Sequence, residues 1–301
     1  MIKSNDKPLY LTETVSELPA NELEIATQLK EHGYVLIKQF FDHSLIDKVV
    51  EECAGKYRND SIYHNENRRI AEAWRISESV SEVACNDRII NLLSTIYGKR
   101  AFPFQTLNFE IGTEQRLHSD TIHFNSLPNL FMTGVWVALE DVTPLNGPIR
   151  YVNDSHKLPI FNCDAIGIDS SSPKKDPYLN YEKYENFVEG LVEGLSLKSS
   201  FAEMKKGDIF VWSANLIHGG SEIKDNSATR LSQVTHYFYE DCVYFTPLTS
   251  DLKDGRIHFR LPTDISLKKK VPFFRSLKSM RKEGISTLSI IRSLVYKGLG
   301  I

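Results

Sequence analysis

The sequence has few cysteines, and none of them is spaced as a zinc or disulfide motif requires. Four cysteines are spread over 301 residues, and no two of them form a CxxC pair. Disulfide-rich domains and structural zinc sites show closely and regularly spaced thiols. The pattern therefore predicts reduced thiols, as in a cytoplasmic protein. The four residues are Cys53, Cys85, Cys163 and Cys242.

Long apolar runs are also absent. No stretch of eighteen uncharged apolar residues occurs, and the opening residues MIKSNDKP lack the apolar core of a signal peptide. Apolar residues make up 41% and charged residues 25% of the chain, which is typical of a globular domain with a well-buried core. We therefore expect a soluble, cytoplasmic protein.

The net charge of −3 is small, but it is unevenly distributed. Residues 252–301 contain twelve Lys/Arg and three Asp/Glu, and residues 285–301 show apolar positions at helical spacing. We predict one domain over residues 1–250 and a basic C-terminal extension with an amphipathic helix over 251–301. Such an extension can bind an anionic lipid surface, but docking on its own domain or a partner subunit is favoured. Nucleic-acid binding is not expected, because few aromatic residues lie among the basic ones.

Helices precede strands along the chain. Apolar periodicity predicts helices over 21–32, from Asp42 or His43 to 57, and over 79–97, with a short strand at 34–37. Residues 58–77 are predicted as a polar loop, and residues 160–194 as a polar insertion with a helix near 180–193. This order predicts helices packed on a β-sandwich or jelly roll. Further strands are predicted at 104–111, 131–139, 149–152, 196–198, 207–212 and 230–239.

The segment Gln115-Arg-Leu-His-Ser-Asp-Thr-Ile-His123 contains a histidine and a carboxylate two residues apart, His118 and Asp120. On a strand these two side chains would share a face. His218 follows the strand at 207–212 and precedes a glycine pair that would let backbone pass close to a ligand. Two histidines and one carboxylate form the facial triad that holds Fe(II) with open positions. The sequence therefore predicts a metal site.

Arg230 lies twelve residues after His218, at the start of the next predicted strand. In a jelly roll that strand would run back beside the one leading to His218, so Arg230 could point into the barrel. A buried arginine needs an anion, and its planar fork suits a carboxylate held by two hydrogen bonds. Ser232, on the same strand face, could add a further hydrogen bond.

The spacing of these residues resembles the Fe(II)/2-oxoglutarate-dependent dioxygenases, and more narrowly the phytanoyl-CoA dioxygenase (PhyH-like) family. The resemblance covers roughly residues 33–240 and includes the run GVWVALEDVTPLNGPIRYVNDSHKLP. Members commonly show Pro-Gly-Ser-His where this chain has Asn-Asp-Ser-His at 153–156. That departure lies in a turn away from the ligands, so it bears on turn geometry rather than on chemistry.

The resemblance implies a mainly β fold with flanking helices, in which an N-terminal helical layer covers a double-stranded β-helix (jelly-roll, cupin-like) core. It implies an enzyme that binds Fe(II) through the triad and uses 2-oxoglutarate and O2, with ascorbate as a reductant. Arg230 would bind the far carboxylate of 2-oxoglutarate, while Gln115, Thr121 and Trp136 would contact this cosubstrate. Because halogenating relatives replace the carboxylate ligand with a small residue, Asp120 favours hydroxylation, with release of succinate and CO2.

Other outcomes stay open at this point. The same iron site could catalyse desaturation, epoxidation or cyclisation. The chain could also be a jelly-roll binding protein without turnover, or a cupin-like protein with a non-redox metal. The substrate could be a small metabolite, a natural-product intermediate, a glycan component or a lipid-linked molecule.

The remaining polar residues receive more ordinary roles. His123 is predicted to be structural or substrate-facing rather than a ligand, and His156 to lie in a turn or to support the ligand residues from outside the site. For His236 a structural role is favoured over a pocket role. Gln105 and Asn108 could line the cavity or the edge of the core, and Tyr237 and Tyr239 are expected to pack against the helices.

Overall fold

The computed structural model describes residues 7–60, 67–168, 177–251, 255–272, 281, 284–286 and 289. Within these residues the chain forms five α-helices and fourteen β-strands. The helices are α1 (Ala20–His32), α2 (His43–Cys53), α3 (Glu78–Ala84), α4 (Asp87–Tyr97) and α5 (Pro177–Gly194). Helices α1, α2 and α5 confirm the helices predicted over 21–32, from Asp42 or His43 to 57, and near 180–193.

The strands form a large and a small antiparallel sheet, with two further strand pairs beside them. The large sheet has the order β1-β9-β6-β11-β4-β3-β2, and the small sheet β10-β7-β8. The strands are β1 (Tyr34–Ile37), β2 (Arg58–Asp60), β3 (Asn67–Ala71), β4 (Ala101–Phe109), β5 (Asn125–Leu127), β6 (Met132–Ala138), β7 (Ile149–Val152), β8 (Ser199–Ala202), β9 (Ile209–Ser213), β10 (His218–Gly220), β11 (Ser232–Tyr239), β12 (Val243–Phe245), β13 (Thr263–Asp264) and β14 (Lys269–Lys270).

The large sheet is covered on both faces. One face meets the small sheet in an apolar cluster that includes Trp136, Phe210 and Tyr151. The other face meets the N-terminal helices, through residues such as Leu29 and Ile46. Every residue of β6 is consequently buried, which explains its almost continuous apolar sequence. This two-sheet arrangement with a helical layer confirms the predicted jelly-roll architecture.

The tyrosines of β11 pack on the helical side, as predicted. Tyr239 stacks on Tyr97 of α4, with 4.1 Å between ring centroids. Tyr237 donates a hydrogen bond of 2.7 Å from its hydroxyl to the carbonyl oxygen of Ala84 in α3. Both tyrosine hydroxyls of β11 thus have a partner, since the Tyr239 hydroxyl lies 2.6 Å from Thr133 Oγ1.

The prediction of one helix over 79–97 is wrong. The chain breaks at Cys85 and Asn86, and two helices result. The side chain of Asn86 accepts a hydrogen bond from the backbone N–H of Arg88 and so caps the start of α4. Asparagine is a preferred N-cap, and its capping here outweighs the apolar periodicity that runs across the break.

The prediction of a polar loop over 58–77 is also wrong for the described part of that segment. Strands β2 and β3 pair with each other, and β3 extends the large sheet beside β4. Ile70 is the residue of β3 that lies in the apolar core. Because one apolar residue gives little periodicity, the hydrophobic pattern did not predict this strand. Residues 61–66 lie outside the described residues. Strand β8 begins at Ser199, after the predicted 196–198.

The segment 255–272 packs on the core rather than extending from it. Phe259 forms a bridge with Phe245 and is 5% exposed, and the backbone N–H of Ile265 donates to the carbonyl oxygen of Pro103 at 2.9 Å. The first part of the predicted extension therefore belongs to the same packed body. The predicted amphipathic helix over 285–301 lies outside the described residues apart from positions 285, 286 and 289. Among the helices of the described chain, none has the length and apolar content to cross a membrane.

Candidate metal centre and its cavity

His118 and His218 lie directly opposite each other in an antiparallel bridge. The backbone N–H of each histidine donates to the carbonyl oxygen of the other, both at 2.9 Å. Residues opposed in this way project their side chains to the same side of the pair. The two imidazole rings are consequently close, with 4.6 Å between their centroids.

The glycine pair after His218 lets the two segments come this close. A Cβ on Gly219 would lie 2.5 Å from the carbonyl oxygen of Gln115, and one on Gly220 would lie 2.6 Å from the backbone nitrogen of Glu114. Any larger residue would push β10 away from the segment that carries His118. The glycines thus accommodate protein backbone, and because both also line the cavity, their predicted closeness to a ligand stays a prediction.

Asp120 is brought to the histidines by a turn and not by a strand. It is the first residue of a 3-10 turn over Asp120–Ile122, so the predicted alternation along a strand does not apply. The turn places Oδ1 3.9 Å from His118 Nε2 and Oδ2 4.0 Å from His218 Nε2. The three ligand atoms lie within 4.8 Å of one another, and all three residues are buried.

Hydrogen bonds fix the orientation of these three side chains. His118 Nδ1 donates to the carbonyl oxygen of Arg116 at 2.9 Å, and His218 Nδ1 to that of Leu216 at 3.0 Å. With Nδ1 as the donor, the Nε2 atom of each ring keeps the lone pair that a metal would bind. Burial lowers the pKa of His118 to about 3, so its ring is neutral at pH 7. Two imidazoles and one carboxylate form a donor set that fits Fe(II).

Trp212 holds the carboxylate of this set. Its indole N–H donates to Asp120 Oδ2 at 2.8 Å. The indole occupies space left by Gly134, which pairs with Trp212 across the sheet. A Cβ on Gly134 would lie 2.1 Å from the indole ring. A glycine in the middle of an apolar strand is thus explained by the ring that orients Asp120.

Arg230 lies buried at one end of the cavity, with 3% exposure. Its ζ carbon is 5.3 Å from the centroid of the Trp136 ring, and its Nη2 donates to the carbonyl oxygen of Ile111 at 3.3 Å. Among the described residues, neither its Nε nor the hydroxyl of Ser232 has a hydrogen-bond partner. Burial lowers the pKa of Arg230 to about 10, which leaves the group charged at pH 7. A buried cation that forms no ion pair with the described residues fits the far carboxylate of 2-oxoglutarate.

The other predicted cosubstrate residues differ in position. Trp136 and Gln115 line the cavity, and Gln115 Nε2 lies 3.3 Å from His118 Nε2. Thr121 is fully buried, and its hydroxyl lies 2.7 Å from Ser119 Oγ, behind the metal ligands. Neither Thr121 nor Ser232 is among the residues that line the cavity. Contact of these two with the cosubstrate stays a prediction.

Helix α5 supports the metal-binding segment, and sequence reasoning assigned no such role to it. The hydroxyl of Tyr181 accepts a hydrogen bond from Gln115 Nε2 at 3.1 Å. Arg116 donates from Nε to Glu189 Oε1 at 3.0 Å and forms an ion pair with this carboxylate. The regular spacing of aromatic and acidic residues in α5 was the signal available, but the partner segment could not be read from it.

The cavity has a volume of about 400 Å³ and extends from Arg230 past the metal ligands. The favoured structural role for His236 is wrong, because this residue lines the cavity. Its Nε2 is 3.8 Å from Asp120 Oδ2, and its Nδ1 lies 3.0 Å from Oε1 of Gln105, which also lines the cavity. Asn108, in contrast, is fully buried and bonds Gln233 in the core.

The other two histidines agree with their predictions. His123 lies outside the ligand set but faces the cavity, with its ring centroid 6.5 Å from that of His118. His156 lies in a short 3-10 turn and packs against Gly33. Sequence reasoning missed two cationic residues of the cavity wall, Arg69 and Arg260. Arg69 lies on the unpredicted strand β3, and Arg260 lies in the segment assigned to the C-terminal extension.

Comparison with known proteins agrees with this geometry. The model of the phytanoyl-CoA dioxygenase (PhyH) family matches residues 29–230. A search of curated proteins found no significant match.

Solved structures share the fold at low sequence identity. The epimerase SnoN, in complex with Fe3+, alpha ketoglutarate and nogalamycin RO, is 18% identical with a TM-score of 0.58, over 75% of this chain and 87% of that one. The carbocyclase SnoK from nogalamycin biosynthesis is 14% identical with a TM-score of 0.54, over 76% and 87%. EctD from S. alaskensis, with 2-oxoglutarate and 5-hydroxyectoine, is 15% identical with a TM-score of 0.54, over 81% of each chain.

Proposed function

The chain belongs to the phytanoyl-CoA dioxygenase family, and from this premise we propose that it hydroxylates a small organic substrate. It is a non-haem iron, 2-oxoglutarate-dependent dioxygenase. The observation that supports the proposal best is the combination of two features in one cavity. A buried cluster of two histidines and an aspartate lies beside a buried arginine that forms no ion pair in the described chain.

Each residue of this combination has a separate task. His118 and His218 would bind iron through Nε2, and Asp120 through the carboxylate that Trp212 orients. Arg230 would bind the far carboxylate of 2-oxoglutarate, with its guanidinium beside Trp136. Iron and 2-oxoglutarate, once bound, would supply the chemistry that activates O2: one oxygen atom would enter the substrate C–H bond and the other would enter succinate, which forms from the oxo acid with release of CO2. Apolar residues such as Val234 and Ile149 in the cavity wall limit the access of water.

Binding and turnover of 2-oxoglutarate test the proposal. We expect the purified chain with Fe(II) and ascorbate to bind 2-oxoglutarate, measured by calorimetry, and to form succinate when a substrate mixture is added. If the protein binds Fe(II) but neither binds 2-oxoglutarate nor forms succinate, the proposed enzymatic activity is contradicted. In that case a jelly-roll binding protein without turnover is the remaining interpretation.

The mass of the product distinguishes hydroxylation from its alternatives on the same iron site. A hydroxylated product gains one oxygen atom, whereas desaturation and ring formation remove two hydrogen atoms and add none. Epoxidation of an alkene also adds one oxygen, so a loss of the alkene signal in the NMR spectrum identifies it. A product without added oxygen would overturn the hydroxylase proposal and retain the iron–oxoglutarate chemistry.

We further propose a cytoplasmic location, supported by four cysteines that form no disulfide. The basic residues beyond 265 are proposed to contact a partner subunit or the surface of a membrane. Flotation of the full-length chain with anionic and with neutral liposomes tests the second possibility. Recovery of the protein with neither type would leave a protein partner or the chain's own domain as the binding surface.

A further inference from the structure

The cavity contains a second arginine, Arg260, in addition to the one that would bind 2-oxoglutarate. The ζ carbon of Arg260 lies 4.8 Å from the centroid of the Phe124 ring. Its Nη1 donates a hydrogen bond of 3.0 Å to Thr246 Oγ1. Both of these partners are uncharged, so they orient the guanidinium without neutralising it.

No carboxylate of the described chain forms an ion pair with Arg260. Burial lowers the pKa of this guanidinium, and the acid whose charge counteracts burial is Glu72. Glu72 is already engaged, because its Oε2 accepts a hydrogen bond of 2.6 Å from Trp74 Nε1. A partly buried guanidinium is costly without a carboxylate in direct contact, so this position favours the binding of an anionic group.

Arg260 and Arg230 lie at different ends of the cavity. The Phe124 ring beside Arg260 is 5.1 Å from the ring of His236. His236 follows Arg230 by six residues, which corresponds to about 20 Å along an extended strand. The iron ligands lie along this path, since His236 Nε2 is 3.8 Å from Asp120 Oδ2. A molecule bound at Arg260 would therefore reach the metal from the side opposite to Arg230.

The charges of the cavity wall also favour an anionic occupant. The described residues of the wall include three arginines and one carboxylate, that of Asp120. Iron(II) and the 2-oxoglutarate dianion cancel each other's formal charge, so positive charge remains in the loaded cavity. Arg69 already has an interaction of its own, whereas Arg260 forms no ion pair with a described residue. His123 Nε2, a buried atom that has no hydrogen-bond partner among the described residues, offers a neutral contact in the same wall.

We propose that Arg260 binds an anionic group of the substrate, a carboxylate or a phosphate, and so holds the carbon to be oxidised in front of the iron. This inference rests on the proposed function and adds a substrate class to it. Charge-assisted hydrogen bonds from the guanidinium fork would supply both affinity and orientation.

Three probes with the same apolar tail test this inference: hexanoate, hexyl phosphate and hexanol. Calorimetry measures their affinity for protein loaded with Mn(II) and saturating 2-oxoglutarate, and broadening of their methyl proton signals by Mn(II) reports proximity to the metal. We expect at least one anionic probe to bind about tenfold or more tightly than hexanol. The better of the two anions identifies the head group. Equal affinity for hexanol and both anions would overturn the inference.

Substitutions locate the binding to Arg260. In Arg260→Met the affinity for the anionic probe should fall about tenfold or more. In Arg260→Lys, which keeps the charge but loses the planar fork, this affinity should fall less. Arg256→Met is the matched control, because Arg256 pairs with Asp251 on the same segment and lies outside the cavity wall. Unchanged anion affinity in Arg260→Met would overturn the inference.

Retained 2-oxoglutarate binding shows that each variant is folded. If the wild-type chain fails to bind 2-oxoglutarate, the proposed function fails. The probe titrations are then repeated without 2-oxoglutarate, and the comparison of Arg260→Met with Arg256→Met still decides the role of Arg260.

Discussion

The two ends of the cavity each contain an arginine, but they differ in how the chain builds them. Arg230 is the last residue matched by the family model, and it is buried beside Trp136 on the large sheet. Arg260 lies thirty residues further on, in a segment that packs beside strands β5 and β12. The arginine proposed to bind 2-oxoglutarate thus lies within the residues that the family model matches. The arginine proposed to bind the substrate lies outside them. Within one cavity, chemistry and selectivity can therefore vary separately.

The largest expected effect concerns the metal ligands between the two ends. His218→Ala removes one of three donors, and we expect no binding of Fe(II) or Mn(II) at concentrations that saturate the wild type. Calorimetry with Mn(II) measures it, and His156→Ala is a control that removes a histidine from a turn away from the cavity. Wild-type metal affinity in His218→Ala would show that the triad is not the metal site.

The next effect distinguishes the two arginines. Arg230→Ala should weaken 2-oxoglutarate binding by about 2–5 kcal/mol, because the cosubstrate's far carboxylate loses its buried partner. Titration of the Mn(II)-loaded protein measures this change. Arg260→Met should leave the same affinity within about twofold. If Arg260→Met instead loses 2-oxoglutarate and Arg230→Ala retains it, the assignments of the two ends are reversed.

A smaller effect is expected for the residue that orients the carboxylate ligand. Trp212→Phe keeps an aromatic ring beside Gly134 but removes the N–H that bonds Asp120 Oδ2. Loss of such a partner typically lowers metal affinity about 10- to 100-fold. Mn(II) calorimetry measures the loss, and Trp136→Phe is the matched control at the Arg230 end. An unchanged Mn(II) affinity in Trp212→Phe would mean that the hydrogen bond does not contribute.

The smallest effect is expected for Gln105→Leu, at the Arg260 end. Gln105 Oε1 holds His236 Nδ1 at 3.0 Å, and neither residue is predicted to contact 2-oxoglutarate. We expect 2-oxoglutarate affinity to change less than about twofold. Succinate formation with substrate should fall more than 2-oxoglutarate affinity, because the ring of His236 loses its fixed orientation near the metal. A large loss of 2-oxoglutarate affinity would place the cosubstrate at this end.

Sequence reasoning identified the residues of the Arg230 end but not their local structure. The residue types and spacing of His118, Asp120, His218 and Arg230 are specific enough to predict a site. The turn at Asp120 and the bridge between the histidines depend on pairing between distant segments, which one sequence does not reveal. The same limit explains the loop predicted where β3 forms, since Ile70 is the residue of that strand in the apolar core.

The Arg260 end could not be predicted for a different reason. Arg260 lies in a segment whose basic character suggested a separate extension, and no motif surrounds it. Its position depends on the packing of Phe259 against Phe245 and on the ring of Phe124, which lies in a distant part of the chain. Gly134 lies between these two cases, because its role could be predicted in part. Its place in an apolar strand signals a close contact, but the sequence does not say that the contact is Trp212.

The bridge between His118 and His218 has a thermodynamic consequence. These residues are one hundred positions apart, so the native chain closes a long loop where they meet. A metal ion bound to both side chains is bound only in the native state, and mass action then couples occupancy to folding. Free metal at 100 times its dissociation constant would stabilise the native state by about 2.7 kcal/mol. The midpoint of thermal unfolding should accordingly rise with metal concentration, so the resistance of this protein to heat depends on the supply of iron in its surroundings.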